Sequence, residues 1–248
     1  MINAMIDHGG ELLVRCAGMA KTYGRGSAAV VAVHAASCAV AVDDRIAVTG
    51  PSGSGKSTLL HLLAGLDQPT AGTISWPGLD GNPAERPAVV GFVFQGPSLL
   101  PPLDVLENVA LPLLLAGTEP AEARDRAEQA LVAVDLAGLR GALPEELSGG
   151  QAQRVAVARV LAARPRLILA DEPTGQLDAA HRDHVVAVLV EAARQLGAGL
   201  VVATHDSQVA GRLDRQWRMR DGRLHTDDPR ADGPVTPPVG TEEEPCSS

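Results

Sequence analysis

The chain has 248 residues, 45% of them hydrophobic, which is enough for one substantial core and a smaller subdomain. Its net charge of −9 and its aromatic content of 2% exclude a typical nucleic-acid surface, which needs clustered cations and stacking side chains. The acidic balance also argues against docking on anionic lipid by charge. The 3 cysteines show no metal-ligand spacing, so we expect a reducing, cytosolic setting. The N-terminus has no basic region followed by an apolar core, so we expect no signal peptide.

The first part of the chain is predicted to form strands. Short apolar runs separated by turn residues, between positions 12 and 48, indicate an antiparallel strand region. A second strand region is expected at residues 73–76 and 89–94. The most apolar stretch, residues 28–42, is shorter than the roughly 20 residues that a membrane-spanning helix needs. We therefore expect membrane association only through a partner.

The second part of the chain has the pattern of helices and buried strands. Residues 119–136 form a strongly amphipathic helix pattern, and Ser148 is a good N-cap for a further helix. Residues 167–170 and 200–203 are continuous apolar runs, as in strands buried on both faces of a parallel sheet. Residues 181–196 between them fit the crossover helix of a right-handed βαβ unit.

A glycine-rich loop lies between an apolar run at residues 46–48 and a predicted helix at 57–64. It matches the pattern G-x-x-x-x-G-K-[ST], in which backbone N–H groups and a helix N-terminus bind phosphate. Lys56 is predicted to reach the β- and γ-phosphates, Ser57 to bind Mg²⁺, and Thr58 to support an α-phosphate contact. The alternative is a chance glycine-rich turn before a helix. The predicted nucleotide-binding residues of this P-loop are Gly50, Pro51, Ser52, Gly53, Ser54, Gly55, Lys56, Ser57 and Thr58.

Two carboxylates follow the apolar run at residues 167–170. Asp171, at the tip of the predicted strand, can hold the Mg²⁺ shell, and Glu172 can polarise an attacking water as the catalytic base. The alternative is an ordinary strand end followed by a solvated turn. The P-loop upstream favours the catalytic interpretation.

Residues 147–151 read Leu-Ser-Gly-Gly-Gln, and we call this run the signature. Ser148 caps the predicted helix, and Gly149 and Gly150 leave its first N–H groups uncovered. Such a helix start is an anion site, suited to the γ-phosphate of ATP bound on another subunit. The alternative, a plain capped helix, is not excluded by spacing alone.

The P-loop and the signature together resemble the ATP-binding subunit of ABC transporters, over about residues 12–224. The resemblance implies an α/β fold: a P-loop NTPase core of the ABC ATPase type, an antiparallel β subdomain and an α-helical subdomain. It also implies hydrolysis of ATP with Mg²⁺, in a homodimer. The signature of one subunit then closes over ATP held by the P-loop of the other, with Ser148, Gly149, Gly150 and Gln151 at the interface.

Four further residues match functional positions of that family. Gln95 resembles the glutamine that senses Mg²⁺ and the attacking water, and His205 the histidine that contacts the γ-phosphate during catalysis. Asp178 resembles an aspartate at the dimer interface, and Tyr23 the aromatic residue that stacks on adenine. Each has an ordinary alternative, because a single polar residue at a strand end is usually at the surface and a single Tyr is usually in the core or at its rim.

The resemblance also divides the chain. We expect the ATPase domain at residues 1–226, with the helical subdomain at about residues 96–158. Residues 227–248 contain mostly Asp, Glu, Pro and Gly, with almost nothing to bury, which predicts a disordered acidic tail.

Residues 65–72, 106–112 and 171–175 resemble one subgroup of the family. That subgroup serves lipoprotein-releasing, macrolide- and peptide-exporting and cell-division-type membrane partners. The resemblance therefore implies export or mechanotransmission, with an integral membrane permease as partner and a cytoplasmic, peripheral location on the inner face of the membrane. Asp43 and Asp44 depart from the glycine that relatives carry in a turn, and we expect only a local effect.

Three alternatives remain open at this point. One is a non-transport ABC ATPase that acts as a nucleotide-gated clamp; its usual coiled-coil or zinc insertions and second ATPase unit are not seen in the sequence. Another is a P-loop kinase, in which the signature would have no role. Separately, His181 and His184 could form a metal pair, although a solvated helix face is the simpler interpretation because no further ligands are evident.

Overall fold

The computed structural model describes residues 10–86, 88–175, 177–227 and 230. The strands are β1 (Leu12–Tyr23), β2 (Val30–Ala41), β3 (Arg45–Thr49), β4 (Ala71–Ser75), β5 (Val90–Val93), β6 (Leu167–Asp171), β7 (Gly199–Thr204), β8 (Arg215–Arg220) and β9 (Arg223–His225). The helices are α1 (Lys56–Leu63), α2 (Val105–Leu115), α3 (Pro120–Ala133), α4 (Gly149–Ala163), α5 (Ala179–Leu196) and α6 (Ser207–Ala210). None of the helices in these ranges combines the length and the apolar composition required to cross a membrane.

The strands form two sheets. A three-stranded antiparallel sheet has the order β2-β1-β4, and a six-stranded sheet has the order β5-β6-β7-β3-β8-β9. In the larger sheet every pair is parallel except β8 with β9, which form an antiparallel hairpin. The predicted parallel pairing of residues 167–170 with 200–203 is present, and α5 is the crossover between them.

The strand region predicted at residues 73–76 and 89–94 does not form one unit. Its first part is β4, which pairs with β1 in the antiparallel sheet, and its second part is β5, which pairs with β6. Strand-forming residues indicate an extended backbone without specifying which edge it joins, so the sequence pattern merged two sheets.

The larger sheet is buried on both faces, which explains its continuous apolar strands. Along β6, Ile168 and Ala170 belong to the hydrophobic cluster that includes residues of α2, α3, α4 and α5. Leu167 and Leu169 face the opposite cluster, with β1, β2 and α1. The sheet is therefore held between two cores, and its strand ends are fixed from both sides.

The helical part lies between β5 and β6 in sequence and consists of α2, α3 and α4. Small buried residues of α3, such as Ala123 and Ala127, allow close packing of this helix in the shared core. The start of α2 is fixed by a capping box between Asp104 and Glu107. A helical subdomain is thus present in the predicted part of the chain. The exact limits, 1–226 and 96–158, stay predictions, and most of the predicted tail, 227–248, lies outside the described residues.

The turn between β2 and β3 carries the two aspartates noted above. Asp43 adopts a left-handed conformation with φ of 63°, which Asp tolerates better than most side chains. The carboxylate of Asp44 accepts a hydrogen bond from the backbone N–H of Ala41 at 2.8 Å and lies 3.1 Å from Arg215 Nη1. These contacts close the turn locally and tie it to the start of β8.

Candidate functional site

The P-loop follows the carboxyl end of β3 and leads into α1. A Cβ on Gly50 would lie 2.1 Å from the carbonyl oxygen of Met219, and one on Gly55 would lie 2.2 Å from that of Ala32. Gly55 also has φ of +100°, a left-handed conformation that favours glycine. The backbone N–H of Gly222 donates to the carbonyl of Ser54 at 3.1 Å. Close backbone contacts from β2 and the β8–β9 hairpin therefore hold the loop from behind.

Lys56 is buried at the base of this loop. Its Nζ donates to the carbonyls of Gly50 and Pro51, at 2.9 and 3.1 Å, and lies 3.7 Å from Glu172 Oε1. Ser54 Oγ is buried and has no hydrogen-bond partner among the described residues. Buried polar atoms are normally paired, so an unpaired hydroxyl and a cation held by loop carbonyls both favour a polar, anionic ligand in this cradle.

Asp171, the last residue of β6, lies beside Ser57, the second residue of α1. Its side chain is buried and hydrogen-bonds the Ser57 hydroxyl. Burial raises the pKa of Asp171, the hydrogen bond from Ser57 opposes this, and the neighbouring Glu172 charge raises the pKa further. Oδ1 of Asp171 has no hydrogen-bond partner in the described part of the chain. A buried carboxylate with an unpaired oxygen next to a hydroxyl is a donor set that fits Mg²⁺.

Glu172 is held in an unusual backbone conformation. Its φ is 45°, in the left-handed region, and its N–H donates to the carbonyl of Ala203 at 2.9 Å, which extends the β6–β7 pairing by one residue. Its Oε2 lies 2.9 Å from Nδ1 of His205, which follows β7. Non-glycine residues in this region cost conformational energy and cluster at functional sites. The carboxylate thus lies between Lys56 and His205, where it can orient a proton-bearing group.

Gln95 lies two residues after β5 and is exposed. It makes no hydrogen bond or ion pair with the residues that the structure describes, so its predicted contact with Mg²⁺ stays a prediction. The preceding residue is fixed by the helical part, because Gln153 of α4 donates through Nε2 to the carbonyl of Phe94 at 3.1 Å. Gln153 was not singled out from the sequence, since its partner is a backbone atom 59 residues away.

The signature forms the start of α4, as predicted. Ser148 Oγ accepts from the N–H of Gln151 at 3.2 Å, and Gln151 Oε1 accepts from the N–H of Ser148 at 2.8 Å. This is a complete capping box, so the Gln151 side chain satisfies its own helix. Gly149 is exposed beside it. In the described residues the side chains of Ser148 and Gln151 each accept from the backbone N–H of the other residue, and neither bonds the P-loop.

Asp178 caps α5, where its carboxylate accepts from the backbone N–H of His181 at 3.0 Å and lies 2.7 Å from His181 Nδ1. The hydrogen bonds from the backbone and ring of His181 lower the pKa of Asp178. His184 Nε2 lies 3.2 Å from Asp135 Oδ2 instead of facing His181. No group of three or more His, Cys, Asp or Glu arranged to hold a metal occurs among the described residues.

Tyr23 is the last residue of β1, and its ring is partly exposed. Its hydroxyl donates to Asp67 Oδ2 at 2.8 Å, and the Thr58 hydroxyl of the P-loop is near enough to influence its pKa. Lys21 contacts the same carboxylate. Tyr23 was identified from the sequence, but Lys21 and Asp67 were not. Their roles depend on contacts between residues far apart in the sequence, and Asp67 was noted only as part of the subgroup segment at residues 65–72.

The structure therefore brings one set of predicted residues together and separates another. One chain gathers a phosphate cradle, a cation-binding carboxylate and a second carboxylate beside a histidine. The gathered residues are Lys56, Ser57, Asp171, Glu172 and His205. The signature and Asp178 lie instead at the exposed N-terminal ends of α4 and α5, and each end is capped by its own side chains.

Comparison with known proteins agrees with this geometry. The family model described as ABC transporter matches residues 33–175. The dimeric structure of MJ0796, a bacterial ABC transporter cassette, is 34% identical and has a TM-score of 0.80, covering 86% of this chain and 98% of that one. A dimeric post-hydrolysis state of MJ0796 bound to ADP and Pi gives the same values of 34% and 0.80. CbiO1 from Clostridium perfringens, part of the transporter complex CbiONQ, is 27% identical with a TM-score of 0.75, and 87% of each chain is covered.

Proposed function

The chain belongs to the ABC transporter family and is an ATPase with that family's fold, and from this premise we propose that it powers an integral membrane partner as a homodimer. The observation that carries the dimer is the separation within one chain. The P-loop side has unpaired buried groups, whereas the signature is exposed and already satisfied. Two copies placed head to tail would each supply the half that the other lacks. The dimers known for MJ0796 support this arrangement.

The residues around the P-loop divide the work of hydrolysis. Lys56 would exchange its loop carbonyls for the β- and γ-phosphate oxygens of ATP. Ser57 and Asp171, with Gln95, would hold Mg²⁺, which when bound neutralises charge on the phosphates. Glu172 would orient the attacking water and accept its proton, and His205 would contact the γ-phosphate.

Adenine would stack on Tyr23, while Thr58 would support the α-phosphate. The N–H groups of Gly149 and Gly150, at the start of α4, would face the γ-phosphate of ATP on the other subunit. Asp178 would lie at the same interface. The two ATP molecules would then join the subunits, and hydrolysis with product release would separate them.

The membrane partner is a permease, and we propose export or mechanotransmission as the work done. The segments at residues 65–72, 106–112 and 171–175 support this subgroup. The place of CbiO1 in a transporter complex supports a membrane partner more generally. The chain would then be peripheral on the cytoplasmic face of the membrane, and the exposed Gln95 would lie where a cytoplasmic segment of the permease docks.

The test is a crosslinked pull-down from detergent-solubilised native membranes, using tagged Glu172→Gln protein with ATP to hold the closed dimer. We expect an integral membrane protein to be recovered with it. Lys56→Ala, which should not close on ATP, is the matched control for nucleotide-dependent recovery. Recovery of soluble partners alone, from a sample that still dimerises with ATP, would favour the clamp-type ATPase instead.

A further inference from the structure

The side chain of Asp67 is surrounded by donors. Lys21 Nζ lies 2.5 Å from its Oδ1, and the backbone N–H of Gln68 donates to the same oxygen at 2.8 Å. The Tyr23 hydroxyl donates to the other oxygen, Oδ2, at 2.8 Å. Lys21 also donates to the carbonyl of Gln68, at 2.8 Å. Both carboxylate oxygens are therefore used by donors of Lys21, Tyr23 and Gln68. The Thr58 hydroxyl of the P-loop lies near the Tyr23 hydroxyl of the same cluster.

The same cluster fixes the ring of Tyr23. Lys21 Nζ lies 5.1 Å from the ring centroid, over the ring, which is a cation–π arrangement. The Tyr23 side chain is otherwise at the surface, next to Gly24 in a hairpin turn, and would have rotamer freedom there without its hydroxyl contact. One ring face is therefore backed by a cation, and the hydroxyl end is tied down.

Asp67 is well placed to link this ring to the phosphate site. It follows α1, the helix that begins at Lys56 in the P-loop, and Gly65 ends that helix with φ of +70°. The N–H of Leu66 donates back to the carbonyl of His61 at 2.9 Å, which fixes the chain just before Asp67. One rigid helix thus has the phosphate cradle at its first turn and the anchor of the Tyr23 ring just past its last turn.

We infer that Asp67 is a positioning residue for ATP binding, which holds the Tyr23 ring, backed by Lys21, so that one face is presented to adenine. This inference rests on the proposed role of Tyr23 and adds two residues that act through it. The entropy of ordering the ring is lost during folding, so it does not have to be lost when ATP binds. The contacts that fix the Tyr23 ring therefore raise the affinity for the base and leave the chemistry at the γ-phosphate unchanged.

The electrostatics of the cluster agree with this geometry. Burial acts to raise the pKa of Asp67, but the hydrogen bonds from Lys21 and Tyr23 outweigh it, and the pKa lies below its usual value. Burial and the hydrogen bond to Asp67 raise the pKa of Tyr23. At neutral pH the carboxylate is thus charged and the phenol is protonated, which is the state that the hydrogen bond needs.

Steady-state ATP hydrolysis by the whole protein tests the inference with four variants. Asp67→Asn and Tyr23→Phe should each raise KM for ATP about 3- to 10-fold with kcat unchanged, because each weakens the charge-assisted hydrogen bond between Tyr23 and Asp67 while the ring remains. Asp67→Asn also weakens the contact with Lys21. The double variant Tyr23→Phe with Asp67→Asn should be no worse than Asp67→Asn alone, since Asp67→Asn already weakens the one contact that Tyr23→Phe removes. Tyr23→Ala, which removes the stacking face, should raise KM by about 10-fold or more.

Inorganic tripolyphosphate provides the matched control, because it occupies a phosphate cradle but has no base. Its inhibition constant should be the same in wild type and Asp67→Asn. Equal weakening of ATP and tripolyphosphate would overturn the inference by making Asp67 a support of the P-loop, as would additive effects in the double variant. An unchanged KM in Tyr23→Ala would remove the adenine role of Tyr23, and no hydrolysis by wild type would instead contradict the proposed function.

Tyr23 is the only tyrosine of the chain, so fluorotyrosine labelling gives a single ¹⁹F NMR signal from this ring. Before ATP is added, we expect a signal in wild type that Asp67→Asn shifts and that Glu122→Gln, a change on the distant helix α3, leaves in place. A signal unaffected by Asp67→Asn would show that the ring is not held by Asp67, and would overturn the inference.

Discussion

The P-loop edge of the sheet and the start of α4 both contain a helix N-terminus, but they differ in whether the polar groups around it have hydrogen-bond partners. At α4 the serine and glutamine of the signature close a capping box, so its polar side chains need nothing further. At α1 no side chain caps the helix; its N-cap is Gly55, in a left-handed conformation. Nearby, Asp171 and Ser54 keep buried atoms without partners.

This difference indicates which half of the composite site depends on ligand. Unpaired buried polar groups destabilise the nucleotide-free chain, and this cost is removed when ATP and Mg²⁺ pair with them. The signature has no such deficit and is a preformed surface. Most of the free energy of ATP binding should therefore come from the P-loop, whereas the signature should contact ATP only when the dimer closes. Three predictions test this contrast, in order of decreasing effect.

Glu172→Gln should reduce ATP turnover about 100-fold or more, because the amide cannot accept the proton of the attacking water. ATP affinity should be retained, since Glu172 contacts Lys56 only at 3.7 Å and the loop carbonyls hold that amine more closely. Phosphate release and nucleotide binding by calorimetry measure the two quantities. Turnover close to wild type would remove Glu172 from its assigned role.

Ser148→Asp should reduce turnover at least about tenfold, because Asp still caps α4 but places a negative charge where the γ-phosphate would approach. Ser148→Thr keeps the cap without the charge and is the matched control. Mixing Ser148→Asp with Lys56→Ala should restore about a quarter of wild-type turnover, since half of the dimers are mixed and each has one intact site of two. A mixture as inactive as its components would contradict a site shared between chains.

Asp171→Asn should stabilise the nucleotide-free protein by about 1–2 kcal/mol at neutral pH while removing its stabilisation by Mg-ATP. The sign follows from the raised pKa: burial disfavours the charged form in the fold, so ionisation above the ordinary value of 3.8 costs stability. The advantage of the variant should shrink as the pH falls and the wild-type carboxyl becomes protonated. Denaturant unfolding at several pH values measures it.

Asp178→Asn serves as the control for that measurement. Its carboxylate is exposed and its pKa is lowered by the hydrogen bonds from His181, so neutralisation should bring no gain in stability. A gain in stability for both variants would indicate a general effect of reducing the negative charge of the chain. No gain for Asp171→Asn would show that the buried negative charge of Asp171 does not cost stability in the nucleotide-free protein.

The contrast also separates what the sequence could predict from what it could not. The P-loop, the strand end at Asp171 and the cap at Ser148 are local patterns, in which a few adjacent residues determine the geometry. The hydrogen bond from Tyr23 to Asp67 joins residues 44 positions apart, and the one from Gly222 to Ser54 joins residues still farther apart in the sequence. Such contacts depend on which strands become neighbours, which periodicity does not encode.

The positive φ of Glu172 was equally hidden. Nothing in its side chain predicts a left-handed backbone; the surrounding β6–β7 pairing and the turn at residues 172–175 impose it. The β8–β9 hairpin was missed although the sequence contains its signals. Buried Trp217 and Met219 alternate with exposed polar residues, and the turn is Asp221-Gly222, a typical two-residue hairpin turn in which both residues have positive φ. The arginines on the solvent side of β8 made the alternation less evident.

The position of β3 has a consequence for how the protein is made. This strand carries the P-loop, yet both of its neighbours in the sheet, β7 and β8, are about 150 residues or more downstream. During synthesis the ribosome therefore releases the phosphate-binding residues long before the strands that flank them, and Gly222, whose N–H donates to the carbonyl of Ser54, is released later than both strands. A nascent chain interrupted before that point would contain every residue of the P-loop motif but not the complete β8–β9 hairpin that contacts the loop.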